Sequence, residues 1–292
     1  MSKDQTSIKA LVGELSGMVT QEGMASTLLE GVNLMAAFSH HPRTPLMYEA
    51  GLIIVAQGGK IGYLGEREIH YGAGHYLVQA MPLPFECETR AAPEEPLLGL
   101  SIRLDRLHLA ELVAQLPAQA SVTPPDPMAA VAINEEVADA ALRLVRCLKD
   151  PVACRVLGGG RLRELIFAVL QGPHGDSLRR LIVDRSHYPR IAEALQFMQE
   201  HYTHALSVEQ IARQVNMSTS HFHHHFKRIT QVAPLQYLKQ LRLLKARALL
   251  AEGALQIGQV ASQVGYRSSS QFSREYKQYF DKSPMQDNLH RG

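Results

Sequence analysis

The chain repeats itself towards its C-terminal end. Residues 207–234 read SVEQIARQVNMSTSHFHHHFKRITQVAP, and residues 256–284 read QIGQVASQVGYRSSSQFSREYKQYFDKSP. Val208, Ile211, Ala212 and Val215 recur 49 positions later as Ile257, Val260, Ala261 and Val264. Spacing of i, i+3, i+4, i+7 marks the buried face of a short helix. Beyond it the second copy carries one extra residue, and the offset becomes 50: Phe222 with Phe272, Phe226 with Tyr276, Lys227 with Lys277, Pro234 with Pro284. An insertion confined to a turn leaves the helices on both sides in phase. The region therefore reads as two copies of one helix-turn-helix unit.

Local chemistry agrees. Ser207 with Gln210 forms a capping box that opens the first helix. Asn216-Met217 and Gly265-Tyr266-Arg267 are short turns, and Gly265 can take positive φ. Ser218 and Ser268 then cap the following helices. On these, Phe222, Phe226 and Ile229 face inward in the first unit, and Phe272, Tyr276 and Tyr279 in the second. The opposite faces carry Thr219, Ser220, His223, His224 and Lys227, and Ser269, Ser270, Ser273, Arg274 and Lys277. A short helix after a tight turn can enter a major groove, and its N-terminal amides favour phosphate. Arg274 can pair bidentately with a guanine edge, serines and histidines can bond several bases, and Lys227 and Lys277 suit phosphate. Between the units, Pro234–Glu252 reads as a helix closed by Gly253, with Leu235, Leu238, Leu241, Leu244 and Leu249 as its apolar face. Its length, roughly 25 Å, suits two reading helices about one DNA turn apart, roughly 34 Å.

Charge divides along the same line. Residues 185–292 hold 14 Lys and Arg against 7 Asp and Glu, while the remainder is acidic, although the whole chain is only +2. A basic third beside an acidic body points to a polyanionic partner. Cys87, Cys147 and Cys154 share no C-x-x-C spacing, which suits a reducing cytoplasm. No apolar run has the length of a membrane span, and the N-terminus lacks the form of a signal peptide. His221, His223, His224 and His225 resemble metal-site material, and His221 with His225 has helical i, i+4 spacing. No Cys, Asp or Glu joins them locally, so they read as lining or backing a recognition helix, with no metal.

The N-terminal half has a different rhythm. MYEAGLIIVAQ, Gly58-Gly59 and KIGYLG read as a hairpin, HYLVQA as a further strand, and 97–104 (LLGLSIRL) as a half-buried strand. Asp105 caps a helix through Leu116, and 121–127 (SVTPPDP) is a loop. Residues 129–184 read as helices. One carries the stripe Ile133, Val137, Ala141, Leu144 and Leu148, and another carries Leu162, Leu165, Ile166 and Val169. These stripes motivate a homodimer through this segment. The expected organisation is α+β, with a small β-barrel over 1–128, a helical connector over 129–184 and an all-α domain over 185–292. A small-molecule pocket is the natural use of the barrel mouth, with Tyr48, Tyr63, His75, Tyr76 and Phe85 as wall residues and Cys87 as an inert core thiol.

Residues 190–288 resemble the AraC/XylS family of bacterial regulators, through the signature running from Lys245 to Pro284 and ending VGYRSSSQFSREYKQYFDKSP. The resemblance implies a seven-helix domain that reads promoter DNA beside RNA polymerase. It carries base contacts to Ser220, His223, His224, Ser270, Ser273 and Arg274; relatives often have arginine at position 224. Segments 45–60, 76–78, 82–84 and 92–98 are similar to the cupin-type N-terminal domain of one subset of that family, which implies effector sensing. His70 and His75 lack the H-x-H and trailing Glu that metal-dependent cupins share, so the reading is a regulator without cofactor or catalytic residues. The competing reading is a ligand-binding or enzymatic barrel whose C-terminal helices bind protein. Polar, basic outer faces on both units discriminate against it.

Overall fold

The structure is a computed structural model, described over residues 3–117, 125–183 and 187–289. The loop expected at 121–127 lies outside these residues in its first part, 121–124. Two compact units form: residues 1–43, 48–82 and 87–185 make the first, and 44–47, 83–86 and 186–292 the second.

The chain runs α1 (Lys3–Ser16), β1 (Gly23–Ser26), β2 (Val32–Ala37), β3 (His41–Met47), β4 (Gly51–Gln57), β5 (Gly59–Leu64), β6 (Arg67–Gly72), β7 (His75–Gln79), β8 (Pro84–Arg90) and β9 (Leu97–Arg103). It continues through α2 (Arg106–Val113), β10 (Met128–Ala132), α3 (Glu135–Leu148), α4 (Pro151–Gln171) and α5 (Gly175–Val183). The strands make two sheets, ordered β1-β2-β9-β4-β7-β10 and β3-β8-β5-β6. The fold is α+β and cupin-like, built as two facing sheets and not as one closed barrel.

The expected hairpin across Gly58-Gly59 does not form. β4 pairs with β9 and β7 in the larger sheet, whereas β5 pairs with β6 in the smaller one. Gly58 is where the chain leaves one sheet for the other. It sits at φ 76°, and a Cβ there would lie 2.8 Å from Leu97 Cα. Two strands joined by a glycine pair look alike in sequence whether they pair or cross. The true hairpin is one strand later, with Leu64 opposite Arg67 around Gly65 at φ 61°.

β9 alternates as expected but is not half-buried. Leu97, Leu98, Leu100 and Ile102 are all almost inaccessible, because β9 lies between β2 and β4 and α1 covers part of the sheet. Residues 129–132, expected as helix, form β10 and pair with β7 at the sheet edge. A short run of alanine and valine does not by itself choose between helix and strand; the open edge of β7 decides. Asp105 caps α2 as expected, accepting from the Leu107 and His108 amides at 2.9 and 3.0 Å, but the helix ends at Val113. α1 was not anticipated. It buries Leu11 and Leu15, and Glu14 pairs with Arg146 of α3 and with Lys149, which caps that helix.

The stripe Val137, Ala141, Leu144 and Leu148 is spent inside the unit, because α3 packs on both α1 and α4. Leu165, Ile166 and Val169 are likewise buried. The apolar face that remains outside is a different one, on α4: Val152, Val156, Leu157 and Phe167, with Gly159 and Gly160 opening onto empty space.

Candidate nucleic-acid interface

The second unit carries α6 (His187–His201), α7 (Val208–Gln214), α8 (Thr219–Thr230), α9 (Pro234–Glu252), α10 (Ile257–Gln263), α11 (Ser269–Phe280) and α12 (Pro284–Leu289). The repeat becomes α7–turn–α8 and α10–turn–α11. Ser207 and Gln210 form the capping box on α7. Its counterpart on α10 uses Gln256 with Gln259, a box without serine that sequence reading passed over.

The turns close in the same way, with Arg267 as the extra residue of the second. Met217 N–H donates to Ala212 O, and Tyr266 N–H to Ala261 O, each at 2.9 Å. Both are six-to-one bonds that close a helix through a left-handed residue. That residue is Asn216 in one copy and Gly265 in the other. Ser218 and Ser268 then accept from the His221 and Gln271 amides. Burial recurs with period four: Phe222, Phe226 and Thr230 in α8, Phe272, Tyr276 and Phe280 in α11. Ile229 and Tyr279, expected as the last inward residues, are only half-buried; each inward role passes one residue on, to Thr230 and Phe280. Thr230 closes its end by donating to Phe226 O at 2.8 Å.

The other side of these helices is open. Ser218, Thr219, Ser220, His223, His224 and Lys227 are exposed, as are Ser268, Ser269, Ser270, Arg274 and Lys277, while Ser273 is half-buried. They emerge from two equivalent places at the start of two equivalent helices. α9 joins the copies, held at its middle by Arg242, which donates to the carbonyls of Tyr202 and His204 at 2.7 Å.

The histidine run divides between two faces. His223 and His224 look outward, while His225 turns back and stacks on His187 of α6, ring centres 3.8 Å apart, with His221 at 5.6 Å from both. Partial burial first, and His187 next, pull the His225 pKa down to about 4, so it is a neutral packing group that accepts from Arg228 at 3.0 Å. Among the described residues no group of three His, Cys, Asp or Glu side chains is placed to hold a metal ion.

The five pocket residues expected in the β-rich unit do not converge. Tyr63 bonds Glu88 and lies under the Arg43 guanidinium. His75 is half-buried beside the Ala73 carbonyl, Tyr76 is buried with its hydroxyl towards Gly172, and Phe85 is buried on β8. Only Tyr48 reaches a buried polar cluster, and its companions Lys60, Tyr71, Cys87 and Thr89 were not singled out as a group. Their positions, spread over the three strands β5, β6 and β8 of one sheet, gave no local signal.

A cupin-like β unit followed by paired helix-turn-helix copies defines a two-part regulator architecture. Residues 28–177 match the AraC-type transcriptional regulator N-terminus, and residues 211–287 match a helix-turn-helix domain. The chain belongs to the AraC-type transcriptional regulators. It is similar to the HTH-type transcriptional regulator ArgR of Pseudomonas aeruginosa, 28% identical over 46% of this chain and 48% of that protein. It is also similar to the HTH-type transcriptional regulator AlkR of Acinetobacter baylyi, 38% identical over 33% of this chain and 32% of the relative. The chain thus spans about half, or less, of the curated relatives it matches. In fold it is similar to wild-type ToxT of Vibrio cholerae solved with an unsaturated fatty acid, with a TM-score of 0.61 at 11% identity, covering 88% of this chain and 94% of that one. No helix among the described residues is long and apolar enough to cross a membrane.

Proposed function

We propose that the chain is a cytoplasmic, sequence-specific regulator of transcription that reads two successive major grooves of promoter DNA with α8 and α11. The observation that carries this reading is the pair of exposed, polar faces set out by matching serine caps, Ser218 and Ser268, after turns closed by the same six-to-one bond. Ser220, His223 and His224 read one site, and Ser270, Ser273 and Arg274 the other. Lys227 and Lys277, with Ser218, Thr219, Ser268 and Ser269 at the helix starts, hold phosphates. The family supports RNA polymerase as the protein partner on the promoter, and no catalytic role.

The β-rich unit senses a small-molecule effector in this reading; the fatty acid held by the ToxT neighbour supports that use of the fold. The chain acts as a homodimer through the outward face of α4, where Val156 is 73% exposed and two mid-helix glycines meet nothing of their own chain. Mid-helix glycine costs roughly 0.5–1 kcal/mol against alanine, and close approach by a second helix gives that cost a purpose. Genome-wide occupancy mapping followed by gel retardation on the recovered sites tests the reading. Discrete sites retarded by the full chain and released by Arg274→Ala are expected; diffuse occupancy with no retarded sequence would overturn it.

A further inference from the structure

Within the first unit, α2 and α4 both pack on α5 yet barely touch each other. The space left between them is about 400 Å³, the size of a small-molecule pocket. Its walls are largely apolar. Leu112 of α2 is almost inaccessible, Leu116 in the turn that ends α2 is half-buried, and Phe167 of α4 keeps 44% of its surface open. Gly160 of α4 also lines the cleft, and a Cβ there would meet nothing within 4 Å, so the missing side chain adds to the space.

The polar groups at the rim are not equally occupied. Glu164 has both oxygens taken, one by Arg143 at 2.8 Å and the other by Arg161 at 3.1 Å. The Gln115 amide donates to the Glu111 carbonyl at 3.1 Å. Arg163 is different. Among the described residues it makes no hydrogen bond, and its one carboxylate neighbour, the exposed Glu111, stands off at 3.8 Å. A guanidinium offers five N–H donors in one plane, a match for two carboxylate oxygens at once. An apolar recess with one convergent charged group is the ordinary make-up of a ligand site. We propose that this cleft between α2 and α4, and not the space between the sheets, is the effector site, and that it takes a carboxylate carried on an apolar body. Arg163 donates to both carboxylate oxygens, and the body lies against Leu112, Leu116 and Phe167 over Gly160. This rests on the effector-sensing role proposed above for the β-rich unit, to which α2 and α4 belong.

Titration calorimetry of the full chain with benzoate and hexanoate, each set against benzyl alcohol and hexanol, tests the site. Wild type is expected to bind each acid roughly fivefold or more tighter than its alcohol, as charge-assisted bonds imply. Arg163→Met keeps an apolar stem and removes the charge, and is expected to abolish that preference while leaving alcohol binding in place. Gly160→Leu puts a side chain into the cleft and replaces a mid-helix glycine by a better helix former. It is expected to fold and to lose acid and alcohol binding together. Equal affinity for acids and alcohols in wild type, binding of neither, or a preference unchanged in Arg163→Met would each overturn the proposal. So would binding retained in a folded Gly160→Leu, and loss of the dimer in that variant would then give the cleft to a second copy of the chain. Gel retardation with and without benzoate separates the site from the reading it rests on. Acid binding through Arg163 with retardation unaltered keeps the cleft and removes the sensing role. Retardation shifted by benzoate equally in wild type and Gly160→Leu keeps the sensing role and removes the cleft.

Discussion

Asn216 and Gly265 hold the same left-handed backbone state at the same point of two turns, at φ 53° and 88°. They differ in what surrounds them. Asn216 is exposed, while a Cβ on Gly265 would lie 2.5 Å from the Thr203 carbonyl oxygen.

Gly265→Ala is therefore expected to cost more than left-handed strain alone, which is roughly 1–2 kcal/mol, because the 202–204 link must also move. Asn216→Gly is expected to stay within about 1 kcal/mol. Thermal denaturation of the two variants checks this, and a milder loss at Gly265 than at Asn216 would contradict the crowding.

Arg274 and Lys277 stand one turn apart on α11, yet their substitutions should read differently. Arg274→Ala is expected to relax choice at one base pair, costing roughly 1–3 kcal/mol on the preferred sequence. Lys277→Ala should weaken every sequence alike and lower the salt slope by about one phosphate's worth. Binding isotherms over a salt series on matched and mismatched sites distinguish these outcomes.

His225 and His187 link pH to the stability of the second unit. Both have pKa values lowered in the folded chain, chiefly by partial burial, with Arg190, Arg228, His221 and His224 adding positive charge around them. The unfolded chain takes up protons from near 6.5 downward while the folded His225 resists until about 4. Their stabilising contribution is thus complete above about 6.5 and is lost as pH falls through that window. Melting temperatures should drop across it, and His225→Gln should flatten the drop. An unaltered profile in that variant would remove His225 as the cause.

Val156→Asp is expected to leave melting of the monomeric unit almost unchanged, since the side chain touches little of its own chain, and to halve the mass seen by light scattering. A wild type that scatters as a monomer at micromolar concentration would end the dimer assignment.

Legibility in the sequence followed range. Caps, turns and the inward faces of α8 and α11 depend on residues within one or two turns of each other, so the repeat exposed them. Thr230 and Phe280 were not legible because the residue before each, Ile229 or Tyr279, is apolar and also falls on a helical period from Phe226 or Tyr276. In the β-rich unit the informative contacts are distant. Nothing near Gly58 announces that β4 and β5 part company, and Lys60 acquires meaning only when β6 and β8 bring Tyr71 and Cys87 beside it. α1 carried only a short apolar pattern, and its partner α3 lies far along the chain.

The 19 residues of α9 set the geometry between the two copies. Each residue of an α-helix advances the chain by about 1.5 Å and turns it by about 100°. Inserting one amino acid into its middle would swing one recognition helix round the side of the duplex while scarcely altering their separation. Inserting a whole turn would restore the angle and lengthen the reach. In the proposed reading α9 therefore behaves as a ruler graduated in both distance and phase, and it would oblige the two half-sites of an operator to keep a fixed interval.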